Sequence, residues 1–119
     1  MAAVYTAQSL SLASLEVLVN AEDTRVLAAM RWAAIPVQFD ESLVLVPQGI
    51  PRNWRQMPPP DSTRKFGTNW VASARSVVLR VPSAVTPKEF NYVINPRHAD
   101  FAKLQIGKVE RFSFDMRLL

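Results

Sequence analysis

The chain has 119 residues, 49% of them apolar and 20% charged, a composition that suits one globular domain and excludes a disordered segment. It has no cysteine, a single histidine (His98) and three glycines, which exclude disulfides, thiolate metal sites, a cysteine nucleophile, a dinucleotide fingerprint and a phosphate loop. The net charge is +4, and the excess lies in the second half: residues 1–60 carry four basic and five acidic side chains, residues 61–119 ten and five.

Residues 3–6 read as a short strand. Ser9, or Thr6 before it, can cap a helix over residues 10–19 that ends at Asn20. Leu10, Leu12, Ala13, Leu15, Val17, Leu18 and Val19 make that helix apolar nearly all round, which predicts that it is buried. Residues 25–39 carry mixed signals. Val26 to Met30 has helical propensity, whereas Trp32, Ile35, Val37 and Phe39 favour a strand, and Pro36 forbids a helix through its position. Most of this stretch is expected as strand, with a second short strand over Leu43–Val46. Pro47, Gly49, Pro51 and Pro58-Pro59-Pro60 mark residues 47–60 as a loop, with a helical turn at Pro51–Arg55.

Asp61 or Ser62 can cap a helix to about Ala74, with Phe66 and Trp70 on one face. Ser76–Val81 is the clearest strand: Val77, Leu79 and Val81 point one way, Ser76, Val78 and Arg80 the other, and Pro82 ends the ladder. A helical turn at Pro87–Phe90, a strand at Tyr92–Ile94, a turn at Asn95-Pro96 and a helical turn over Asp100–Leu104 follow. Residues 109–116 alternate in polarity, as a half-buried strand does. The order of elements favours an α+β single domain with a mixed or antiparallel sheet and a few helices over a doubly wound parallel sheet.

Glu16 is the most informative polar residue. On a helix its neighbours on the same face are Leu12, Ala13 and Val19, and no Lys or Arg lies within four residues. Such a carboxylate must reach solvent, find a distant partner or be partly desolvated, and the last is a common device at active sites. Ser83 follows the strongest strand, where ligand-binding loops emerge, although a turn serine fits the same pattern. His98 and Asp100 form a weak metal pattern that suits structural use, so no metal site is expected. Arg64, Lys65, Arg75 and Arg80 centre the basic half, which can meet a phosphate or an acidic partner or simply be solvated.

Together these segments resemble the RES domain, named for an arginine, a glutamate and a serine. The matching stretches run from Val4 to Val19 (VYTAQSLSLASLEVLV), Gly67 to Ser76 (GTNWVASARS), Leu79 to Val85 (LRVPSAV), Glu89 to Phe101 (EFNYVINPRHADF) and Phe112 to Asp115 (FSFD), in family order and over nearly the whole chain. The resemblance implies an ADP-ribosyltransferase-like fold. It also implies a toxin of a bacterial toxin–antitoxin pair that destroys NAD⁺, by phosphorolysis or hydrolysis of the nicotinamide–ribose bond. NAD⁺ is then the substrate, and no further cofactor is expected. The implied partner is an Xre-like helix-turn-helix antitoxin whose C-terminal segment blocks the NAD⁺ site. Self-association is left open, and neither membrane nor direct nucleic-acid binding is expected.

By this resemblance Glu16 is the family glutamate and Ser83, in its Val-Pro-Ser context, the family serine, with Ser73 and Ser76 as alternatives. Tyr5 matches a site tyrosine and Asn95 the Asn-Pro turn. The family arginine lies ahead of the strand that opens this chain, where only Met1-Ala2-Ala3 stand. The resemblance therefore implies that residues 1–119 are a partial RES domain, lacking the arginine-bearing part, with an unpaired sheet edge or apolar groove beside residues 3–6 and Glu16. The alternative to an active enzyme is an inactive truncated toxin that only binds its antitoxin. No run approaches the roughly 18 apolar residues of a membrane span, and the first residues lack the basic and apolar regions of a secretory signal, so a cytoplasmic address is expected.

Overall fold

The computed structural model describes residues 3–119. Its centre is a four-stranded mixed sheet. Strand β1 (Val4–Ala7) lies at one edge, followed in space by β6 (Phe90–Ile94), β5 (Val78–Pro82) and β4 (Val44–Leu45) at the other edge. β1 and β5 each pair antiparallel with β6, and β4 pairs parallel with β5. Two small antiparallel ribbons flank the sheet: β2 (Trp32–Ala34) with β8 (Glu110–Phe112), and β3 (Val37–Gln38) with β7 (Gln105–Ile106). The α+β class with a mixed sheet and a few helices is the one the element order predicts.

Helix α1 (Leu10–Asn20) starts where its capping chemistry dictates: the Ser9 hydroxyl accepts the Leu12 N–H at 3.1 Å. The expected burial is not found. Leu12 is the helix's one buried residue, while Leu10, Leu15 and Val19 are 41–63% exposed. The sheet offers this helix too little surface to cover more than one stripe, so composition alone overstates its burial.

The region 25–39 departs most from expectation. It opens with helix α2 (Thr24–Ala29), capped by the Asp23 carboxylate on the Arg25 N–H at 3.0 Å. Strand is confined to the short segments of β2 and β3. The cap and the Val-Leu-Ala-Ala propensity decide the first half, and the Trp32 indole N–H fixes it by donating to the Leu27 carbonyl at 2.9 Å. The predicted strand over Leu43–Val46 is reduced to β4 by a 3-10 turn at Glu41–Leu43.

Helix α3 (Asp61–Ser73) runs as predicted except at its N-terminus, where Pro60 occupies the cap position without a side-chain bond. Ala74, at φ 52°, ends it in the left-handed region. Val78 points away from Leu79 as the alternation predicts, but Val77, just ahead of the strand, packs with Val78 rather than with Leu79, and all three are buried. Both faces of the sheet are covered here. Leu79 and Val93 pack with Trp70 of α3, while Val77, Val78, Ile94 and Leu104 pack on the other face.

Pro82 does not end the ladder. It pairs with Phe90, which is tolerated because β4 pairs only with Val78 and Leu79, so no neighbour on that side needs its missing N–H. The segment before β6 is a turn, and Phe90 already belongs to the strand. The helical turn near Asp100 is a 3-10 turn at Ala99–Lys103. The predicted strand over 109–116 is limited to β8, beyond which Phe114 turns inward. It packs edge-on against Trp32 and Phe112, with centroids at 5.6 and 5.1 Å. Among the described residues β1 has a strand on one side only, and Val4 and Tyr5 are 47% and 73% exposed. The open sheet edge expected beside residues 3–6 is therefore present. No described helix is long and apolar enough to cross a membrane.

Candidate functional site

Three elements bring polar side chains to one point. The chain leaves β1, turns at Gln8-Ser9 and enters α1 at a position fixed by the Ser9 cap, which sets the rotation that aims Glu16 back toward the sheet. β5 ends at Pro82, and Ser83 begins the following turn. Asn91, the second residue of β6, lies opposite both Ala7 of β1 and Val81 of β5.

The half-buried carboxylate of Glu16 sits among these groups. Its Oε2 accepts the Ser83 hydroxyl at 3.1 Å and its Oε1 accepts the Asn91 amide at 2.9 Å. The second proton of the Asn91 amide goes to the Thr6 carbonyl at 3.1 Å, so both donors of that amide are used. Ser83 is fully buried, and its hydroxyl also accepts the N–H groups of Val85 and Thr86 at 3.1 and 3.3 Å. One proton donated and two accepted completes the capacity of a hydroxyl. Ser83 is thereby placed to hold the carboxylate rather than to reach a molecule outside.

Glu16 faces an open cleft of about 1100 Å³, lined also by Tyr5, Trp32, Arg55, Val85 and Asn91. Tyr5 stands at its rim and also borders two adjoining hollows of about 480 and 650 Å³. The arrangement presents a carboxylate of fixed orientation beside an exposed aromatic ring. It can stabilise positive charge developing on a bound group and accept hydrogen bonds from hydroxyls.

The structure brings Glu16, Ser83 and Tyr5 to this region and leaves the other candidates outside it. Ser73 ends α3, its hydroxyl donating to the Trp70 carbonyl at 2.7 Å. Ser76 is a latch: it accepts the Trp70 indole N–H at 2.8 Å and donates to the Val78 carbonyl at 2.9 Å. Asn95 is buried at the far end of β6, where its side chain accepts the Arg97 N–H at 3.1 Å and its backbone N–H meets the Val77 carbonyl. That is the opposite end of β5 from Ser83. His98 is structural: one ring nitrogen contacts the Ala74 carbonyl and the other accepts the Asp100 N–H, each at 2.9 Å. Arg80 lies over the Phe90 ring, 4.2 Å from its centroid.

Sequence reasoning missed Asn91 and Arg55. Asn91 carries a weak signal, an amide inside a strand where Asn is depleted. Arg55 carries none, since it is one arginine in a proline-rich loop.

The model of the RES domain family matches residues 1–115. A protein of Yersinia enterocolitica named Toxin Res is 41% identical over 98% of this chain and 78% of its own length. A Photorhabdus laumondii protein of the same name is 37% identical over 98% and 76%. A Sphingobium protein named Prs ADP-ribosylating toxin is 33% identical over 100% and 76%. The mixed-sheet α+β architecture fits the ADP-ribosyltransferase-like fold that the last name points to.

Proposed function

The chain belongs to the RES domain family, and from that premise we propose that it is the toxin of a toxin–antitoxin pair and consumes NAD⁺ at the nicotinamide–ribose bond. The observation that carries this reading is the Glu16 carboxylate, clamped by Ser83 and Asn91 at the wall of the large cleft. The names of the relatives as toxins, one of them ADP-ribosylating, support it.

In the proposed reaction the C1′–N bond breaks and its electron pair leaves with nicotinamide, which becomes neutral. Positive charge spreads over C1′ and the ring oxygen, as in glycoside cleavage. Glu16 stabilises that charge and hydrogen-bonds the ribose hydroxyls. Ser83 and Asn91 keep the carboxylate fixed, so that no reorganisation is needed as charge develops. Tyr5, at the rim, stacks on the nicotinamide ring. An oxygen of phosphate or water then bonds to C1′, giving ADP-ribose 1-phosphate or ADP-ribose, and a water nucleophile releases its proton to solvent. NAD⁺ is the substrate and no other cofactor takes part. The reading carries with it a cytoplasmic site of action and a helix-turn-helix antitoxin that covers the cleft.

The test is nicotinamide release from NAD⁺ by the purified chain, with and without inorganic phosphate. Turnover by the wild-type chain that Glu16→Ala abolishes is the expected result. NAD⁺ left intact under both conditions, or turnover indifferent to Glu16→Ala, overturns the proposal.

A further inference from the structure

The cleft at Glu16 carries two charged side chains among its described lining residues, the Glu16 carboxylate and the Arg55 guanidinium. We infer that Arg55 is the phosphate-binding residue of this cleft, taking the pyrophosphate of a dinucleotide whose ribosyl end lies at Glu16. The inference rests on the NAD⁺ reading for the identity of the ligand, and on the geometry of Arg55 for the site.

Arg55 is anchored in a way that leaves its phosphate-binding end available. Its Nε donates to the Ala84 carbonyl at 2.7 Å, and Ala84 directly follows the serine that holds Glu16. The guanidinium and the carboxylate are thus referenced to the same turn. The anchor uses the inner nitrogen, and none of the ion pairs among the described residues involves Arg55. Five other cations are engaged, Arg25 on Asp23, Arg64 on Asp61, Lys103 on Asp100, Arg117 on Asp115 and Arg80 on the Phe90 ring; what sets Arg55 apart from the rest is its place as the one basic residue among the described lining of this cleft. The two terminal nitrogens of Arg55 form the fork that matches two phosphate oxygens.

The loop bearing Arg55 is braced. The Trp54 N–H donates to the Pro51 carbonyl and the Gln56 N–H to the Asn53 carbonyl, each at 3.0 Å. The Asn53 side chain accepts the Ser62 hydroxyl at 2.7 Å, tying the loop to the first turn of α3. A braced loop lowers the entropy lost when the guanidinium binds. The charge pattern also suits the ligand. NAD⁺ has a cationic nicotinamide ribosyl end and an anionic pyrophosphate, and the cleft has one carboxylate and one guanidinium.

The test uses the full chain, titrated calorimetrically with ADP-ribose, alongside Arg55→Gln and Arg55→Lys. Gln can still donate to the Ala84 carbonyl, and thermal melts check that each variant is folded. The expected result is ADP-ribose binding weakened roughly 10- to 100-fold in Arg55→Gln, the size of a lost charge-assisted pair, with partial recovery in Arg55→Lys. In NAD⁺ turnover the KM rises by a similar factor while kcat stays within about threefold. ADP-ribose bound equally by wild type and Arg55→Gln, or by neither, overturns the inference. NAD⁺ turnover with Arg55-independent ADP-ribose binding defeats this inference and leaves the functional reading standing. Arg55-dependent ADP-ribose binding without NAD⁺ turnover defeats the functional reading and leaves the phosphate site standing.

Discussion

The Ser83 hydroxyl stands 3.1 Å from the Glu16 carboxylate although 67 residues separate them in the chain. The contact joins the first helix to the turn after the central strand, and Asn91 closes it from the neighbouring strand at 2.9 Å. Each donor involved has a second duty to the backbone or to a neighbouring strand, so the cluster links fold stability to the aim of one carboxylate.

Glu16→Gln tests the charge with little change of shape. Nicotinamide release from NAD⁺ should fall about 10²- to 10³-fold, the usual cost of removing one group that stabilises transition-state charge. The circular-dichroism spectrum should remain that of the wild type. Turnover within about threefold of wild type would show that the carboxylate charge is not used.

Ser83→Ala should reduce both activity and stability. It leaves the Val85 and Thr86 N–H groups without their acceptor and frees one side of Glu16. A buried donor left unsatisfied costs about 1–3 kcal/mol, which a urea titration reads directly. The activity loss should appear in kcat rather than in KM, because Ser83 is fully buried and is not among the residues lining the cleft. Ser73→Ala and Ser76→Ala serve as controls. Ser76→Ala orphans the Trp70 indole N–H and lowers stability by about 1–3 kcal/mol, yet both variants should retain wild-type kcat.

Asn91→Leu removes the amide that spans Thr6 and Glu16. A displacement of the carboxylate by about 1 Å is enough to lower kcat on the order of 10²-fold. Asn91→Asp should be at least as damaging, since it sets a second carboxylate against the first. Unchanged turnover in both variants would remove Asn91 from any positioning role.

Asp23 offers a pH signature away from the site. The Arg25 side chain, and then the Arg25 backbone N–H, hold its carboxyl below the usual carboxylate range. A carboxyl whose pKa is lower in the folded state binds fewer protons than in the unfolded chain. Its contribution is therefore present above the unfolded pKa and is lost as pH falls through the folded one. Asn keeps the cap acceptor and loses the charge. Asp23→Asn should melt slightly below wild type at pH 7, the gap should narrow as pH falls through the folded-state pKa of Asp23, and the difference at pH 7 should shrink in high salt because the pair is exposed. A constant difference across pH would trace the effect to something other than ionisation.

Local sequence determined the elements whose cause is local. Ser9 set the start of α1, Phe66 and Trp70 the buried face of α3, and the Asn95-Pro96 turn the end of β6. It also singled out Glu16, because a carboxylate among apolar neighbours with no nearby cation needs a partner from elsewhere, whereas Ser83 is preferred over two other serines only through the resemblance to the RES domain. Tertiary structure decided the rest. The burial of Val78 depends on what covers the second face of the sheet, which strand alternation does not encode. The exposure of α1 depends on how little sheet lies beneath it, and the place of Pro82 in β5 on how far β4 extends beside it. The partners of Glu16 come from 67 and 75 residues away, and Arg55 reaches the same cleft from a loop whose own sequence carries no sign of it. Short-range propensity and capping act within a turn of helix or a pair of strands, whereas a site is made where distant segments are forced together by burying their apolar neighbours.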